Sequence, residues 1–355
     1  MYKLESPEDE VLQEDLEKVA KSEVPFSDLN GKTVFVTGAT GLIGSQVVKA
    51  ILCSNRLNGT DISVIACVRN KAKAETVFES VLSDEHFSVY EGDINTAISY
   101  EGKVDYIIHG ASATSSKYFV SNPVETIHTA IDGTTNVMEF AKKKHVESVV
   151  YLSSLEVYGT PAENQEMITE KDYGYIEPLS TRSSYSEGKR MVECLCVSYG
   201  EEYKVPVKIA RLSQTFGAGV DYSDGRVFAE FARCAIEKKD IVLHTTGKTV
   251  RSYCYTADAV KALLFILLKG QNGEAYNVTN MKTAISIYDM GQLVCDTFSD
   301  SGIKVKVEIP EDISSFGYNP EMIIRLDSSK LEKLGWKAEV DLSEMFKRLV
   351  KSMSK

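Results

Sequence analysis

The stretch TVFVTGATGLIGSQVVKAIL, residues 33–52, decides the fold of this chain. It opens with β-branched and aromatic residues, as a buried strand does, and ends with apolar residues at helical spacing. The glycines between these two parts permit a tight turn, close approach of the backbone to a pyrophosphate, and close packing of helix on strand. The N-terminus of the helix adds free N–H groups and a positive dipole. We therefore predict a dinucleotide-binding loop made of Gly38, Thr40, Gly41, Leu42, Ile43 and Gly44.

Short β-branched runs alternate with helical stretches as far as about residue 212. This alternation predicts an α/β doubly wound parallel sheet, the Rossmann arrangement, with helices on both faces. Beyond residue 212 the pattern becomes irregular and indicates a smaller α/β substrate-binding domain. The predicted strands are 33–37, 62–68, 87–91, 104–109, 148–153 and 205–210, and the predicted helices lie near 42–55, 71–82, 122–144 and 183–203. The predicted division is an extension over 1–30, a dinucleotide-binding domain over 31–212 and a partly interleaved substrate domain over 213–355.

The extension over residues 1–30 is acidic and contains one predicted helix, over Val11–Ala20. Ser6 is the expected helix cap, with Pro7 in the first turn. The helix is expected to pack on the body of the protein through its apolar residues, or else to serve as a lid or an oligomer contact.

The composition excludes several classes of protein. The 355 residues carry a net charge of −11 without a basic block, so nucleic acid and membrane surfaces are poor partners. No run of residues is apolar enough to span a membrane, and the N-terminus does not resemble a secretory signal, so we expect a cytoplasmic protein. The seven cysteines and five histidines lack the spacing of metal ligands, so no metal site is expected.

Further cofactor contacts are expected where the other strands end, because parallel strands place their carboxyl ends at one edge of the sheet. The second strand ends without the usual acid and is followed by Arg69, which would suit a 2′-phosphate and therefore NADP, or could be a solvated basic residue. Asp93 could bind adenine or could be a plain turn residue. The full predicted set at these strand ends is Arg69, Asp93, Ile94, Gly110, Ala111, Ser112 and Ser153.

The candidate catalytic residues lie in the second half of the sheet domain. Tyr185 and Lys189 are four residues apart on a predicted helix and therefore share one face. An ammonium beside a phenol stabilises the phenolate and can lower its pKa, which would make Tyr185 a general base for a sugar hydroxyl. Ser154, at the end of a strand, supplies a hydroxyl that can hold the reacting oxygen in line.

These residues carry a resemblance to a known family. The motifs occur in the order seen in extended short-chain dehydrogenases/reductases of the NAD-dependent epimerase/dehydratase family, which modify nucleotide sugars. The resemblance covers roughly residues 31–340 and implies NAD as cofactor, with NADP as the alternative that Arg69 raises. It also implies that Gln214, Arg226, Val227 and Arg251 bind substrate. The motifs are TGATGLIG (37–44), SSLEVYG (153–159), YSEGK (185–189), ARLSQTFG (210–217), DGRV (224–227), RSYCYTADAV (251–260) and GEAYNV (273–278).

Within that family the chain looks most like UDP-glucuronate decarboxylases, which share Glu156 and Arg190 with it. It departs from them at Leu155, where the decarboxylases have Ser and 4,6-dehydratases have an Asp that serves as general acid. Glu156 is expected to face the substrate beside Ser154, because alternate residues of an extended segment share a side; it could instead cap the following turn. Arg325 could bind the sugar acid or a phosphate, or could form a surface salt bridge.

The expected function is therefore oxidation of a nucleotide sugar at C4, followed by decarboxylation of a uronic acid. The alternatives are a 4-epimerase, an NADPH-dependent 4-ketoreductase, less favourably a 4,6-dehydratase, and remotely a dinucleotide sensor without turnover. The resemblance also implies a homodimer that pairs through the helices near 122–144 and 183–203. The apolar residues Met191, Leu195 and Val197 on the second helix exceed what one core-facing stripe requires, although they could instead pack within the chain.

Overall fold

A computed structural model describes residues 3–112, 116–162, 165–310 and 321–355. Its centre is a parallel seven-stranded sheet in the order β10-β6-β5-β4-β1-β2-β3, which confirms the predicted doubly wound α/β fold. The strands of this sheet are β1 (Lys32–Thr37), β2 (Ile62–Val68), β3 (Phe87–Glu91), β4 (Tyr106–His109), β5 (Ser148–Ser154), β6 (Val207–Leu212) and β10 (Ala275–Val278).

Helices cover both faces of this sheet because successive strand residues point to opposite sides. In β1, Val34 and Val36 join the core on one face while Phe35 joins the core on the other. The α-helices of the described residues are α1 (Glu10–Ala20), α2 (Leu42–Asn58), α3 (Lys71–Val77), α4 (Ser116–Ser121), α5 (Pro123–Lys144), α6 (Ser183–Tyr203), α7 (Val227–Glu237), α8 (Thr256–Lys269), α9 (Ile287–Thr297), α10 (Ser329–Glu332) and α11 (Leu342–Met353). Short 3-10 helices lie at Phe26–Leu29, Leu155–Tyr158 and Ser299–Ser301.

The chain beyond Leu212 is shared between the central sheet and two smaller sheets. Strand β10 pairs with β6 at the edge of the central sheet. Helix α8 packs its apolar residues into the core on the face of the sheet that also holds Val34 and Val36. The smaller sheets have the orders β11-β9-β7 and β12-β8, formed by β7 (Gln214–Phe216), β8 (Ile241–Leu243), β9 (Val250–Tyr255), β11 (Asn280–Ser286) and β12 (Val305–Val307).

The N-terminal extension packs on the body of the protein. Helix α1 buries Val11, Leu12, Leu16 and Val19 in the core that also holds α2, α8 and α11. The predicted cap, Ser6, is wrong: the Asp9 carboxylate accepts the Leu12 N–H at 3.0 Å, and the helix begins three residues later than Ser6 would place it. Asp9 caps well because it offers a charged acceptor to the positive end of the helix.

The extension is also joined to the C-terminal helix α11. The guanidinium of Arg348 lies 2.7 Å from the Asp15 carboxylate and donates to the Val11 carbonyl. Within the described ranges, no helix is both long and apolar enough to cross a membrane.

Candidate active site

The ends of β1, β4 and β5 bring the predicted site residues to one edge of the sheet. Thr37 pairs with His109, and His109 pairs with Tyr151, so the residues that follow each strand are neighbours in space. Parallel sheets bind ligands at this carboxyl edge. The glycine loop after β1, the segment after β4 and Ser154 at the end of β5 therefore surround one cleft.

The glycine loop is packed too closely for any side chain at two positions. Gly38 has a φ of +68°, and a Cβ atom there would lie 2.7 Å from the backbone of Gly110 and Ala111. A Cβ atom on Gly44 would lie 2.3 Å from the Gly38 carbonyl oxygen. The first turn of α2 is thus held directly against the end of β1, with its backbone N–H groups at the cleft edge.

This arrangement fits a dinucleotide. Gly41 is the N-cap of α2 and makes no side-chain capping bond, so the first N–H groups of this 17-residue helix can meet a pyrophosphate. Thr40, Leu42 and Ile43 flank the turn and remain partly exposed. The loop residues would therefore hold the phosphates through their backbone, as the sequence predicts.

A buried histidine, His109, bonds to the end of β1 and to α5 beneath the cleft. His109 Nδ1 lies 2.7 Å from the Thr37 hydroxyl, and its Nε2 lies 3.0 Å from the Thr134 hydroxyl. Burial lowers the pKa of His109 to about 3, so the ring is neutral. The Thr37 hydroxyl also accepts the N–H of Ala111 at 3.2 Å, which fixes the segment Gly110, Ala111 and Ser112 beside the glycine loop. Sequence reasoning left His109 without a role, although its place at a strand end was a usable signal.

The remaining predicted cofactor residues lie at the ends of β2 and β3. Arg69 and Asp93 are exposed. The Asp93 carboxylate accepts the backbone N–H of Asn95 at 2.9 Å, as a turn aspartate does. Ile94 is buried, and its carbonyl accepts the Asn136 amide at 2.8 Å.

Tyr185 lies on α6 with its ring stacked on Phe119, the centroids 4.2 Å apart. Burial raises the pKa of Tyr185 to about 12, against the smaller lowering effects of the neighbouring Ser154 hydroxyl and of the charges of Arg182 and Arg226. The expectation of a lowered pKa is therefore not met in this structure, because desolvation of the phenolate outweighs its favourable contacts.

Lys189 is one turn along α6 from Tyr185 and is buried. Its ammonium donates to the Leu152 carbonyl at 2.8 Å and lies 4.7 Å from the Tyr151 ring centroid and 5.7 Å from that of Tyr185. Burial lowers its pKa to about 8. Lys189 thus joins α6 to the strand that ends in Ser154.

Glu156 does not lie on an extended segment. The chain turns into a 3-10 helix at Leu155–Tyr158, and the Ser154 hydroxyl caps it by accepting the Glu156 N–H at 3.2 Å. The alternation argument for Glu156 was therefore wrong, because it assumed that the strand continued. The carboxylate nevertheless lies close to Tyr185 and is bound by Arg182 at 3.1 Å and by the Ser186 hydroxyl at 3.0 Å.

The predicted substrate residues divide into two groups. Gln214, Arg226, Val227 and Arg251 are partly buried. Arg226 caps α7 and pairs with Asp224 at 2.6 Å, and its charge reaches Tyr185. Arg251 donates to the Val250 carbonyl at 3.2 Å and interacts electrostatically with Glu156, while desolvation lowers its pKa. The side chain of Arg325 is exposed, and its backbone carbonyl accepts the Ile168 N–H at 2.7 Å.

Sequence reasoning missed Arg182, which lies three residues before Tyr185 and binds Glu156. It also missed Glu193 and Arg211, a buried ion pair 2.6 Å apart. Glu193 could have been found from the sequence, because it is a charged residue one helical turn beyond Lys189 and therefore on the same side of the helix. In the part of the chain that the structure describes, no group of three or more His, Cys, Asp or Glu side chains could hold a metal ion.

Comparison with known proteins defines the class. The family model of the NAD dependent epimerase/dehydratase family matches residues 34–279. UDP-glucuronic acid decarboxylase 6 of Arabidopsis thaliana is 29% identical over 312 residues, which cover 88% of this chain and 85% of the relative. The chain is an enzyme that belongs to the NAD dependent epimerase/dehydratase family.

Solved structures share the fold. A UDP-glucose 4-epimerase from Thermotoga maritima superimposes with a TM-score of 0.75 at 22% identity, covering 91% of this chain and 98% of the other. A dTDP-glucose 4,6-dehydratase from Streptomyces venezuelae, solved with NAD bound, gives a TM-score of 0.75 at 22% identity, covering 91% and 97%.

The glycine loop generates the first prediction. Gly38→Ala should abolish NAD binding and lower the free energy of unfolding by more than the ~1–2 kcal/mol that a left-handed residue alone costs, because its Cβ meets backbone at 2.7 Å. Gly59→Ala is the matched control, since Gly59 has a φ of +66° but no atom within 4 Å of its Cβ position. Denaturant unfolding and calorimetric titration with NAD measure both effects. Equal NAD affinity in the two variants would remove the loop from the cofactor site.

Proposed function

We propose that this enzyme oxidises a nucleotide-linked uronic acid at C4 and releases its carboxyl group as carbon dioxide. The observation that supports this most is the placement of Glu156, flanked by Arg182 and Arg251, beside the Ser154 and Tyr185 hydroxyls. Decarboxylases of UDP-glucuronic acid among the relatives support the same reaction.

The cofactor would be held by the loop Gly38–Gly44 and by the segment that His109 fixes. NAD, when bound, accepts the hydride from C4 of the sugar and later returns it. We propose NAD as the cofactor because the chain belongs to an NAD dependent family. Arg69 is exposed at the end of β2, where it would bind the 2′-phosphate of NADP, so NADP is the alternative.

Three side chains act on the C4 oxygen in this proposal. Tyr185 takes the proton of the C4 hydroxyl, and Ser154 orients that oxygen through its own hydroxyl. Lys189 contributes a positive charge that stabilises the phenolate. Burial raises the pKa of Tyr185, so Tyr185 can accept the C4 proton only once it is a phenolate, and the positive charge of Lys189 favours that form.

Oxidation makes the substrate reactive toward loss of its own carboxylate. A C4 ketone turns the C6 carboxylate into that of a β-keto acid, whose C5–C6 bond breaks with the electron pair passing to the C4 oxygen. Ser154 and Tyr185 donate to that oxygen and stabilise the enolate. C5 then takes a proton, and reduction at C4 gives the pentose.

Leu155 disfavours the dehydratase alternative. Its side chain is buried in an apolar cluster with Val157, Ile168 and Leu326. An alkyl group in that position offers no proton to a departing C6 hydroxyl, so a 4,6-dehydratase would lack its general acid.

The reaction itself generates the second prediction. Incubation with a panel of nucleotide sugars should convert UDP-glucuronate, or a uronic acid on another nucleotide, to a product lighter by one CO2, read by mass spectrometry. Glu156→Gln should suppress CO2 release more than C4 oxidation, because the Arg182 charge is then no longer balanced by the carboxylate beside the substrate. Glu166→Gln, on an exposed residue, is the control.

Two results would redirect this proposal. A C4-inverted uronic acid without pentose would make the enzyme a 4-epimerase. Consumption of NADPH with a 4-keto sugar, and no action on uronic acids, would make it a 4-ketoreductase, the alternative that Arg69 favours.

We also propose a homodimer formed by α5 and α6, which pack side by side. Their outward sides expose Val124, Ile127, Met191 and Val197, with Val124 and Met191 more than half exposed. An apolar surface on two neighbouring helices is typical of a helix-bundle interface.

Light scattering at micromolar concentration should therefore give the mass of a dimer, and Met191→Glu should give that of a monomer, because burying the new charge would be unfavourable. Val307→Glu changes an exposed apolar residue on β12 and should leave the mass unchanged. A monomeric parent protein would refute the interface.

A further inference from the structure

The proposed function leaves one buried carboxylate on the catalytic helix without a role. Glu193 lies one turn beyond Lys189 and two turns beyond Tyr185, so the three side chains follow one side of α6. The side chain is only 7% exposed. Buried carboxylates require partners, and the partners of Glu193 all belong to the edge of the sheet that carries the active site.

Its counter-ion is Arg211 of β6, which is 1% exposed. Arg211 Nε lies 3.0 and 3.2 Å from the two oxygens of Glu193, and Nη2 lies 2.6 Å from Oε2. The other donors of the guanidinium reach the hydroxyls of Tyr158 and Tyr173 and the carbonyl of Glu170. All five N–H groups of the guanidinium are thus used, which makes this buried charge tolerable and its geometry fixed.

Glu193 is also bonded to the strand that carries Ser154. The Ser153 hydroxyl donates to Glu193 Oε1 at 2.5 Å. The Lys189 ammonium donates to the carbonyl of the preceding residue, Leu152, at 2.8 Å. Two successive residues of β5, immediately before Ser154, are therefore fixed by two side chains of α6.

The surroundings of Lys189 show what the charge of Glu193 does. The titratable groups that face the ammonium are Glu193, Cys196 and Tyr185 on its own helix, Tyr151 on β5 and His109 on β4. His109 is neutral because burial holds its pKa near 3, and burial raises the pKa of Cys196 and of Tyr151. Glu193 therefore supplies the negative charge that opposes the desolvation of Lys189.

We propose that Glu193 is a positioning residue of this active site, which fixes Ser154 and Lys189 relative to Tyr185 and keeps Lys189 as an ammonium ion. The inference rests on the proposed function, since it takes Tyr185 and Lys189 as the pair that moves the C4 proton. Lys189, with a pKa near 8, would lose its proton before Tyr185 does. Without Glu193 that loss moves to lower pH, and a neutral amine cannot stabilise the phenolate.

The test measures the proton on Lys189 directly. Protein labelled with ε-13C lysine is titrated by NMR, and the Lys189 signal is assigned by its loss in Lys189→Met. The midpoint should lie near 8 in the parent protein and about one pH unit lower in Glu193→Gln, the lower end for loss of a charge partner. Glu201→Gln, on an exposed residue of the same helix, should leave the midpoint unchanged. An unchanged midpoint in folded Glu193→Gln would overturn the proposal.

Two further variants keep the test decisive. If Glu193→Gln fails to fold because Arg211 is left without its counter-ion, the double variant Glu193→Gln/Arg211→Gln removes both charges, and the Lys189 midpoint should fall in the same way. Glu193→Asp keeps the charge but shortens the side chain, so it should retain the midpoint while losing the Ser153 bond. A midpoint that falls as far in Glu193→Asp as in Glu193→Gln would show that charge is not the cause.

Turnover separates this inference from the function on which it rests. If a nucleotide sugar is converted, Glu193→Gln should lower kcat, at pH values above both midpoints, by about tenfold for each pH unit by which the Lys189 midpoint falls. An unchanged kcat alongside a lowered midpoint would overturn the catalytic part of the inference. If the parent protein converts no nucleotide sugar, the proposed function fails, whereas the NMR midpoint still reports on Glu193.

Discussion

The backbone contact between Gly38 and Gly110 is the constraint on which the rest of the site depends. It lets the turn after β1 lie directly against the turn after β4, closer than any side chain would permit. As a consequence, the N-terminus of α2 and the segment 110–112 border the same cleft. The neutral His109, bonded to Thr37 and Thr134, fixes the two strand ends beneath this contact.

The opposite side of the cleft is built on buried charge. Lys189, Glu193 and Arg211 lie where desolvation disfavours charged groups, and each is retained because neighbouring backbone or side-chain groups bind it. The same desolvation raises the pKa of Tyr185 and lowers that of Lys189, so the two values move apart. In the proposed reaction Tyr185 accepts the proton only as the phenolate, so that step depends on the positive charge that Lys189 contributes.

Local signals in the sequence were sufficient for most of the central sheet. The strands 62–68 and 87–91 and the helix 183–203 have the predicted bounds, because their apolar periodicity matches the geometry of the element. The turn after β1 and the helix that follows it were equally predictable, since glycines at that spacing permit a tight turn and close packing of helix on strand. The Ser6 cap was wrong because Asp9, three residues later, competes for the same role with a full charge.

The parts that could not be predicted depend on contacts between distant residues. Strand β10 joins β6 across a long insertion, and Tyr158 bonds Asn277 from 119 positions away. The pairing of Arg182 with Glu156 depends on a turn at Leu155 that the preceding strand pattern conceals. Local patterns in the sequence predict helices, strands and helix caps. Contacts between residues far apart in the sequence form only when the sheet has assembled.

The most direct test of the central claim, that Tyr185 removes the C4 hydroxyl proton of a nucleotide sugar, is to compare turnover and cofactor affinity in Tyr185→Phe. The phenylalanine ring preserves the stacking on Phe119 and removes only the hydroxyl. We expect NAD affinity to stay near that of the parent protein while turnover of the nucleotide sugar falls by roughly 10²–10⁴-fold. Turnover equal to that of the parent protein would contradict the account.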